Sequence, residues 1–170
     1  MAWYAIYTRP RHEKSVLTAL EEKGIDAFLP LTREMRQWKD RKKEVEIPLF
    51  SGYVFINIEL KNKLYALETN GVVRLIGFGG KPAQIPDWQI EQLKRLVESQ
   101  TTVVAENWLR TGDSVEVTEG PLAGIRGYLQ EKRGQHSIVI LLEGIRQAAS
   151  FVVEVGKVKK VASEEAGDNA

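Results

Sequence analysis

Apolar positions follow two unlike patterns along the chain. In the first part, short strand-like runs alternate with helical spacings, and the strongest run lies in Pro48–Ile58. A proline and the small pair Ser51-Gly52 lead into Tyr53-Val54-Phe55-Ile56-Asn57-Ile58, which is nearly unbroken β-branched and aromatic, as in a buried central strand. Period two puts Val54, Ile56 and Ile58 on one face and Tyr53, Phe55 and Asn57 on the other. The aliphatic face suits a core. The aromatic face reads equally as core or as contact surface.

The neighbouring patterns arrange themselves around this strand. Trp3–Thr8 is a first strand stopped by Arg9-Pro10-Arg11, and His12–Lys23 carries Val16, Leu17 and Leu20 at helical spacing with Gly24 as a C-terminal cap. Asp26–Leu31 and Lys43–Ile47 are further strands, and the polar segment between them projects as a long hairpin. A short helix is predicted over Asn62–Asn70 with Asn62 as N-cap and Gly71 ending it, then a strand over Val72–Phe78. Asp87 caps a last helix bearing Ile90, Leu93 and Val97. Residues 1–98 therefore predict an α+β domain, an antiparallel sheet with packed helices. Residues 99–109 lack a period and read as a linker. The second pattern follows: five short strands (114–118, 125–131, 137–142, 149–154 and 157–161) punctuated by glycines, a small all-β barrel over 110–161. Residues 162–170 are small and acidic and read as a disordered tail.

Composition narrows the chemistry. The 170 residues include no cysteine and only His12 and His136, far apart, so disulfides, thiolate sites and a structural zinc are not expected. No nucleophile sits beside a base and no glycine loop is built for phosphate, so neither an enzyme nor a cofactor is expected. With no long apolar run and no signal peptide, a cytoplasmic protein without membrane contact is the expectation. The net charge is only +1, but residues 1–98 hold 16 Lys/Arg against 13 Asp/Glu, whereas 99–170 hold 8 against 10. The excess sits mainly in Arg33, Arg36, Lys39, Arg41, Lys42 and Lys43.

Two motifs now stand in order. Trp3-Tyr4-Ala5-Ile6-Tyr7 before a helix, Pro48-Leu49-Phe50-Ser51-Gly52-Tyr53-Val54-Phe55, and Gly71-Val72-Val73 leading to Pro82-Ala83-Gln84-Ile85-Pro86 resemble the N-terminal (NGN) domain of NusG-family transcription factors. Gly112–Gly127 resembles a KOW motif whose invariant glycine would be Gly124. The glycines at 120, 124 and 127 also read as purely architectural, with Gly124 at a bend that leaves no room for a Cβ. The stretch Gly80-Lys81-Pro82-Ala83-Gln84-Ile85-Pro86 and the basic hairpin resemble specialised paralogues of the UpxY and RfaH type. Ser51 replaces a second proline common in relatives, and the His-Thr-Thr element of RfaH is absent near Asn62-Lys63-Leu64.

The resemblance implies a transcription elongation or antitermination factor. Its first domain would dock on the β′ clamp helices of RNA polymerase, bridge towards the β subunit and suppress pausing. Its KOW domain would recruit a second factor such as NusE or Rho. The implied polymerase-binding residues are Tyr7, Phe50, Tyr53, Phe55, Phe78, Ile90 and Leu93, each equally readable as core. Arg36, Trp38, Lys39, Arg41 and Lys42 of the hairpin would contact upstream duplex DNA, or else form a solvated face. Arg9, Arg11, His12 and Lys14 are candidates for the non-template strand, as are Thr69 and Asn70, which otherwise serve as a cap. Ile145, at a turn, corresponds to the apolar tip that touches the second factor, with burial against the barrel as the alternative. Six glycines in this half (120, 124, 127, 134, 144 and 156) disfavour the α-hairpin that RfaH can adopt, at about 1 kcal/mol each in a helix interior. A monomer is expected. A ribosome-associated KOW protein binding RNA is the other reading, weakened by the negative balance of residues 99–170.

Overall fold

The computed structural model describes residues 1–99, 101–106 and 112–161. The first domain runs β1 (Ala2–Thr8), α1 (Glu13–Glu22), β2 (Asp26–Phe28), β3 (Leu31–Gln37), β4 (Lys42–Pro48), β5 (Tyr53–Ile58), α2 (Lys63–Leu67), β6 (Val72–Leu75), β7 (Gly77–Phe78), β8 (Lys81–Pro82) and α3 (Asp87–Glu98). Its main sheet is antiparallel throughout, in the order β2-β5-β1-β6. Central β5 pairs with β1 from Ala2↔Ile58 to Tyr7↔Tyr53. The alternation expected for β5 now acquires two covers. Val54, Ile56 and Ile58 join Tyr4 and Ile6 beneath Val16 and Leu20 of α1. Phe55, Trp3 and Ala5 lie on the other face with Ile90, Leu93 and Leu96 of α3.

Local departures from the sequence pattern have local causes. The strand expected over Asp26–Leu31 ends at Phe28, because Pro30 lacks an N–H to continue the ladder; its carbonyl instead accepts from Leu49 N at 2.9 Å. The run Val72–Phe78 breaks at Ile76, which donates its N–H to Ala5 O at 2.9 Å while β7 turns through Gly79 and Gly80, both left-handed. Asp87 is not the cap of α3. Pro86 holds that position with φ −58°, and the Asp87 carboxylate sits in the first turn, where the helix dipole favours it. Asn62 flanks α2 but its side chain makes no capping bond, since a 3-10 turn over Leu60–Asn62 leads into the helix.

The second domain contains β9 (Val104–Glu106), β10 (Ser114–Val117), β11 (Arg126–Lys132), β12 (Gln135–Leu142), β13 (Gln147–Val153) and β14 (Val158–Lys160), in the order β14-β10-β11-β12-β13-β9. It is a sheet, not an α-hairpin. Strand β9 lies inside the stretch expected as a linker and pairs with β13 from Val104↔Ser150 to Ala148↔Glu106. Ser150 Oγ donates to Glu106 Oε1 at 2.8 Å, and Thr32 Oγ1 of the first domain donates to Val103 O at 2.6 Å. Three residues are too few to show a period, so β9 had no sequence signature. The tail expected over 162–170 lies outside the described residues.

The glycines of the second domain divide by cause. Gly124 has φ +91°, but a Cβ there would come no nearer than 3.7 Å to any neighbour, so its constraint is conformational and not the lack of room expected. Lack of room belongs to Gly127, where a Cβ would fall 2.5 Å from Ile138 Cγ2 and 2.6 Å from Val139 O. Gly127→Ala is expected to destabilise this domain by about 1–3 kcal/mol through overpacking. Gly120→Ala, with φ +87° and open space, should cost about 1–2 kcal/mol through backbone strain alone. Chemical denaturation would separate them, because Ile138→Ala, which removes the crowding Cγ2, should be less than additive with Gly127→Ala and additive with Gly120→Ala.

Candidate docking face and basic hairpin

Turn geometry organises the aromatic face. Gly52, with φ +86°, lets the Tyr7 ring lie against the backbone, where a Cβ would stand 2.8 Å from Tyr7 Cε2. Buried Glu13 accepts from Gly52 N at 3.1 Å, and Thr8 N donates to Gly52 O at 2.8 Å, so helix, first strand and turn are locked together. Tyr7 and Tyr53 meet edge to face at 5.5 Å, and Phe28 stacks on Phe55 at 6.1 Å. Of the predicted docking residues, Phe50, Phe55, Ile90 and Leu93 are buried, the last three completely; Tyr7 and Tyr53 are half-buried at the margin. Phe78 is 52% exposed on the β7–β8 hairpin.

The second domain completes the cover of this face. One apolar cluster runs from Trp3, Phe50, Phe55 and Ile85 into Val115, Ile125, Ile140 and Ile145. Gly144 abuts Ile85, and the Arg146 guanidinium stands 5.3 Å from the centre of the Phe78 ring. Ile145, readable as an apolar tip or as buried, is only 4% exposed and belongs to the same cluster. Polar bonds frame the contact. Gln92 Nε2 donates to Arg126 O and Gln92 Oε1 accepts from Arg126 N, both at 3.0 Å, while Arg95 Nη2 donates to Pro121 O at 3.0 Å and to Ala123 O at 2.7 Å. Sequence reasoning missed Gln92 and Arg95. Their spacing puts them on one side of α3, but nothing in a sequence marks a polar helical residue as bound to another domain's backbone.

β3 and β4 form a separate two-stranded sheet that carries the basic residues away from the core. Trp38 and Arg41 exchange backbone hydrogen bonds at 2.8 and 3.3 Å, leaving Lys39-Asp40 as a two-residue loop. The register sorts the charges. Arg36, Trp38, Arg41 and Lys43 share one face with a single acid, Glu34, whereas Lys42 and Arg33 share the other with Glu44 and Glu46. Arg33 pairs with Glu44 and Arg36 with Glu34, but Lys39, Arg41, Lys42 and Lys43 make no ion pair among the described residues. Trp38 is 55% exposed, with Lys43 Nζ 5.5 Å from its ring centre.

The other nucleic-acid candidates are less uniform. Arg9, Arg11, His12 and Asn70 are exposed near the start of α1, and Arg9 N donates to Gly71 O at 2.8 Å. Lys14 already donates to Glu46 O at 2.8 Å, bracing the hairpin base. Thr69 is buried, and its backbone closes the turn by donating to Ala66 O and accepting from Val72 N. At the end of β10, the Arg126 hydrogen bond at 2.8 Å, with Lys159 at 3.3 Å, holds the Glu116 carboxyl below the usual carboxylate range.

A two-faced sheet completed by a separate barrel, with a charged arm beside it, defines a protein of one α+β domain and one small all-β domain. Residues 1–94 match the family model described as "Transcription termination factor nusG", and the chain belongs to the NusG family. It is accordingly a NusG-type factor of transcription elongation and antitermination, and not an enzyme. It is 24% identical over 176 residues to the transcription termination/antitermination protein NusG of Pseudomonas aeruginosa, covering 94% of this chain and 98% of that one. The Campylobacter jejuni protein of the same description is 28% identical over 142 residues, 76% of this chain and 79% of the relative. A solved structure described as "Domain interaction in Thermotoga maritima NusG" shares the fold with TM-score 0.53 at 21% identity, covering 95% of this chain and 97% of that one. Among the described residues, no helix is long and apolar enough to cross a membrane.

Burial predicts how the aromatic face responds to truncation. Phe50→Ala should lose about 3–5 kcal/mol, as for a core phenylalanine, whereas half-buried Tyr53→Ala should lose clearly less. Thermal unfolding would check the difference. Glu116 stabilises the barrel above its unfolded-state pKa, and that contribution is lost as pH falls through its lowered folded value. The stability gap between the parent chain and Glu116→Gln should therefore close under acid and stay open at neutral pH.

Proposed function

We propose that the chain binds elongating RNA polymerase through the aromatic face of its first domain, docking on the β′ clamp helices and reaching towards the β subunit to suppress pausing or termination. The observation that carries this reading is the apolar face of Phe50, Phe55, Ile90 and Leu93, which is covered by a separate domain anchored through four hydrogen bonds on α3. A cover of that kind is removable, and the face beneath it has the aromatic anchors that dominate binding energy at interfaces. Docking therefore requires the domains to part, which also frees Ile145 to engage NusE or Rho. The basic face of the hairpin contacts upstream duplex DNA, and the exposed cations at the start of α1, with Asn70, lie towards the non-template strand. The Gly80–Pro86 stretch and the hairpin support a specialised paralogue of the UpxY or RfaH type, acting on particular operons.

Tyr53→Ala should weaken binding to core RNA polymerase at least tenfold in a gel-shift titration and abolish any effect on pausing, with the fold retained by circular dichroism; undiminished binding would sink the docking role. On duplex DNA, replacing Arg36, Arg41 and Lys43 together by alanine should reduce affinity. The same change should flatten the salt dependence by about 0.9 in log–log slope for each phosphate that is no longer neutralised. Lys42→Ala, on the charge-balanced face, should change it little, and equal effects in anisotropy titrations would contradict the one-sided arrangement.

A further inference from the structure

The arm formed by β3 and β4 is a ribbon two strands wide, with no third strand on either edge among the described residues. Its base is held from two sides. Lys14 Nζ of α1 donates to Glu46 O at 2.8 Å, and Thr32 Oγ1 donates to Val103 O at 2.6 Å. A ribbon braced in this way presents its outer end in one direction. On that end Arg36 and Lys43 stand directly opposite each other on one face, an arrangement that costs stability because like charges repel across a strand pair. Glu34, 3.5 Å from Arg36, is the one acid on this face, and its pairing leaves Lys43 and Arg41 without a carboxylate. Two residues further out, Trp38 and Arg41 close the ribbon, and the indole stays 55% exposed with Lys43 Nζ 5.5 Å from its centre. An exposed face that keeps an unrelieved cation pair beside an uncovered indole is suited to an anionic partner with flat apolar surface.

We infer that the ribbon enters the major groove of duplex DNA with the Arg36–Trp38–Arg41–Lys43 face on the base edges. This rests on the DNA-contact reading above and adds to it the groove and the atoms that are read. Width decides the groove. Two strands about 4.8 Å apart, with their own backbone thickness, fit a groove about 12 Å wide and not one about 6 Å wide. Spacing agrees with this, because residues of one face recur about every 6.8 Å along each arm, which spans two base steps of about 3.4 Å. The guanidinium forks of Arg36 and Arg41 then face guanine O6 and N7, and the indole faces thymine methyls. An acceptor placed between Arg36 and Lys43 removes the repulsion that the free ribbon carries. The major groove of duplex RNA is deep and narrow, so the same ribbon is excluded from it.

Anisotropy of a short labelled DNA duplex containing an A·T run, titrated with the full chain, tests the groove. Methyl green, which occupies the major groove, is expected to displace the protein, and netropsin, which occupies the minor groove, is expected to leave it bound. Both ligands are cations, so the contrast between them reports the groove and not the charge. Duplex RNA of matching sequence should bind about tenfold more weakly. Replacing Arg36, Arg41 and Lys43 together by alanine should remove this preference for DNA along with the affinity, and Lys42→Ala should keep it, with circular dichroism confirming the fold of each variant. Displacement by netropsin, or equal affinity for duplex RNA, would overturn the inference and leave the DNA contact standing. Binding of no duplex at all, or binding unaffected by the triple replacement, would instead overturn the DNA reading of the hairpin, and this inference with it.

Discussion

A sheet that is apolar on both faces has to be covered twice, and the rest of this molecule follows from that requirement. Val54 and Phe55 are adjacent in sequence, point in opposite directions and are both fully buried. Helix α1 covers the first side from within the same domain. On the second side α3 covers only part of the surface, and the remainder is completed by a barrel that arrives much later in the chain. Burying that area contributes in proportion to the apolar surface removed from water, so the closed arrangement is favourable without any specific partner.

Nonspecific apolar burial does not fix orientation, and the polar contacts supply it. Gln92 and Arg95 on one side, and the Arg146–Phe78 pair on the other, bracket the apolar patch and set how the barrel sits. Hydrogen bonds of this kind contribute about 1 kcal/mol each, rather more when charged, and partly exposed ones are weaker still. The interface thus selects one orientation through a few modest contacts.

Much of this architecture was legible in residue order. Period-two alternation in Tyr53–Ile58 marked two unlike faces, and the glycine-punctuated runs after residue 112 marked a barrel. What the chain order concealed was contact between distant segments. Phe55 and Ile145 each read as candidate surface or core; Phe55 is buried in the cluster with α3 and stacked by Phe28, and Ile145 lies in the cluster the two domains share, facts carried by neither local sequence. Strand β9 was hidden by its brevity, and the sorting of hairpin charges into a basic and a charge-balanced face became visible only with the register of β3 against β4. Gly124 and Gly127 look alike in sequence; one is held by its dihedral angle and the other by Ile138 and Val139.

Strand β9 also sets how far the domains can travel. With β9 paired to β13, only the five residues between Glu98 and Val104 join α3 to the barrel sheet, a reach of about 20 Å even when extended. On the proposed docking reading, a barrel on so short a leash would remain near the face it left, at an effective concentration that for short linkers is roughly millimolar. A partner docking on that face would have to outcompete this local rival. Shortening or lengthening the leash would therefore retune the protein's sensitivity without altering a single residue of the interface.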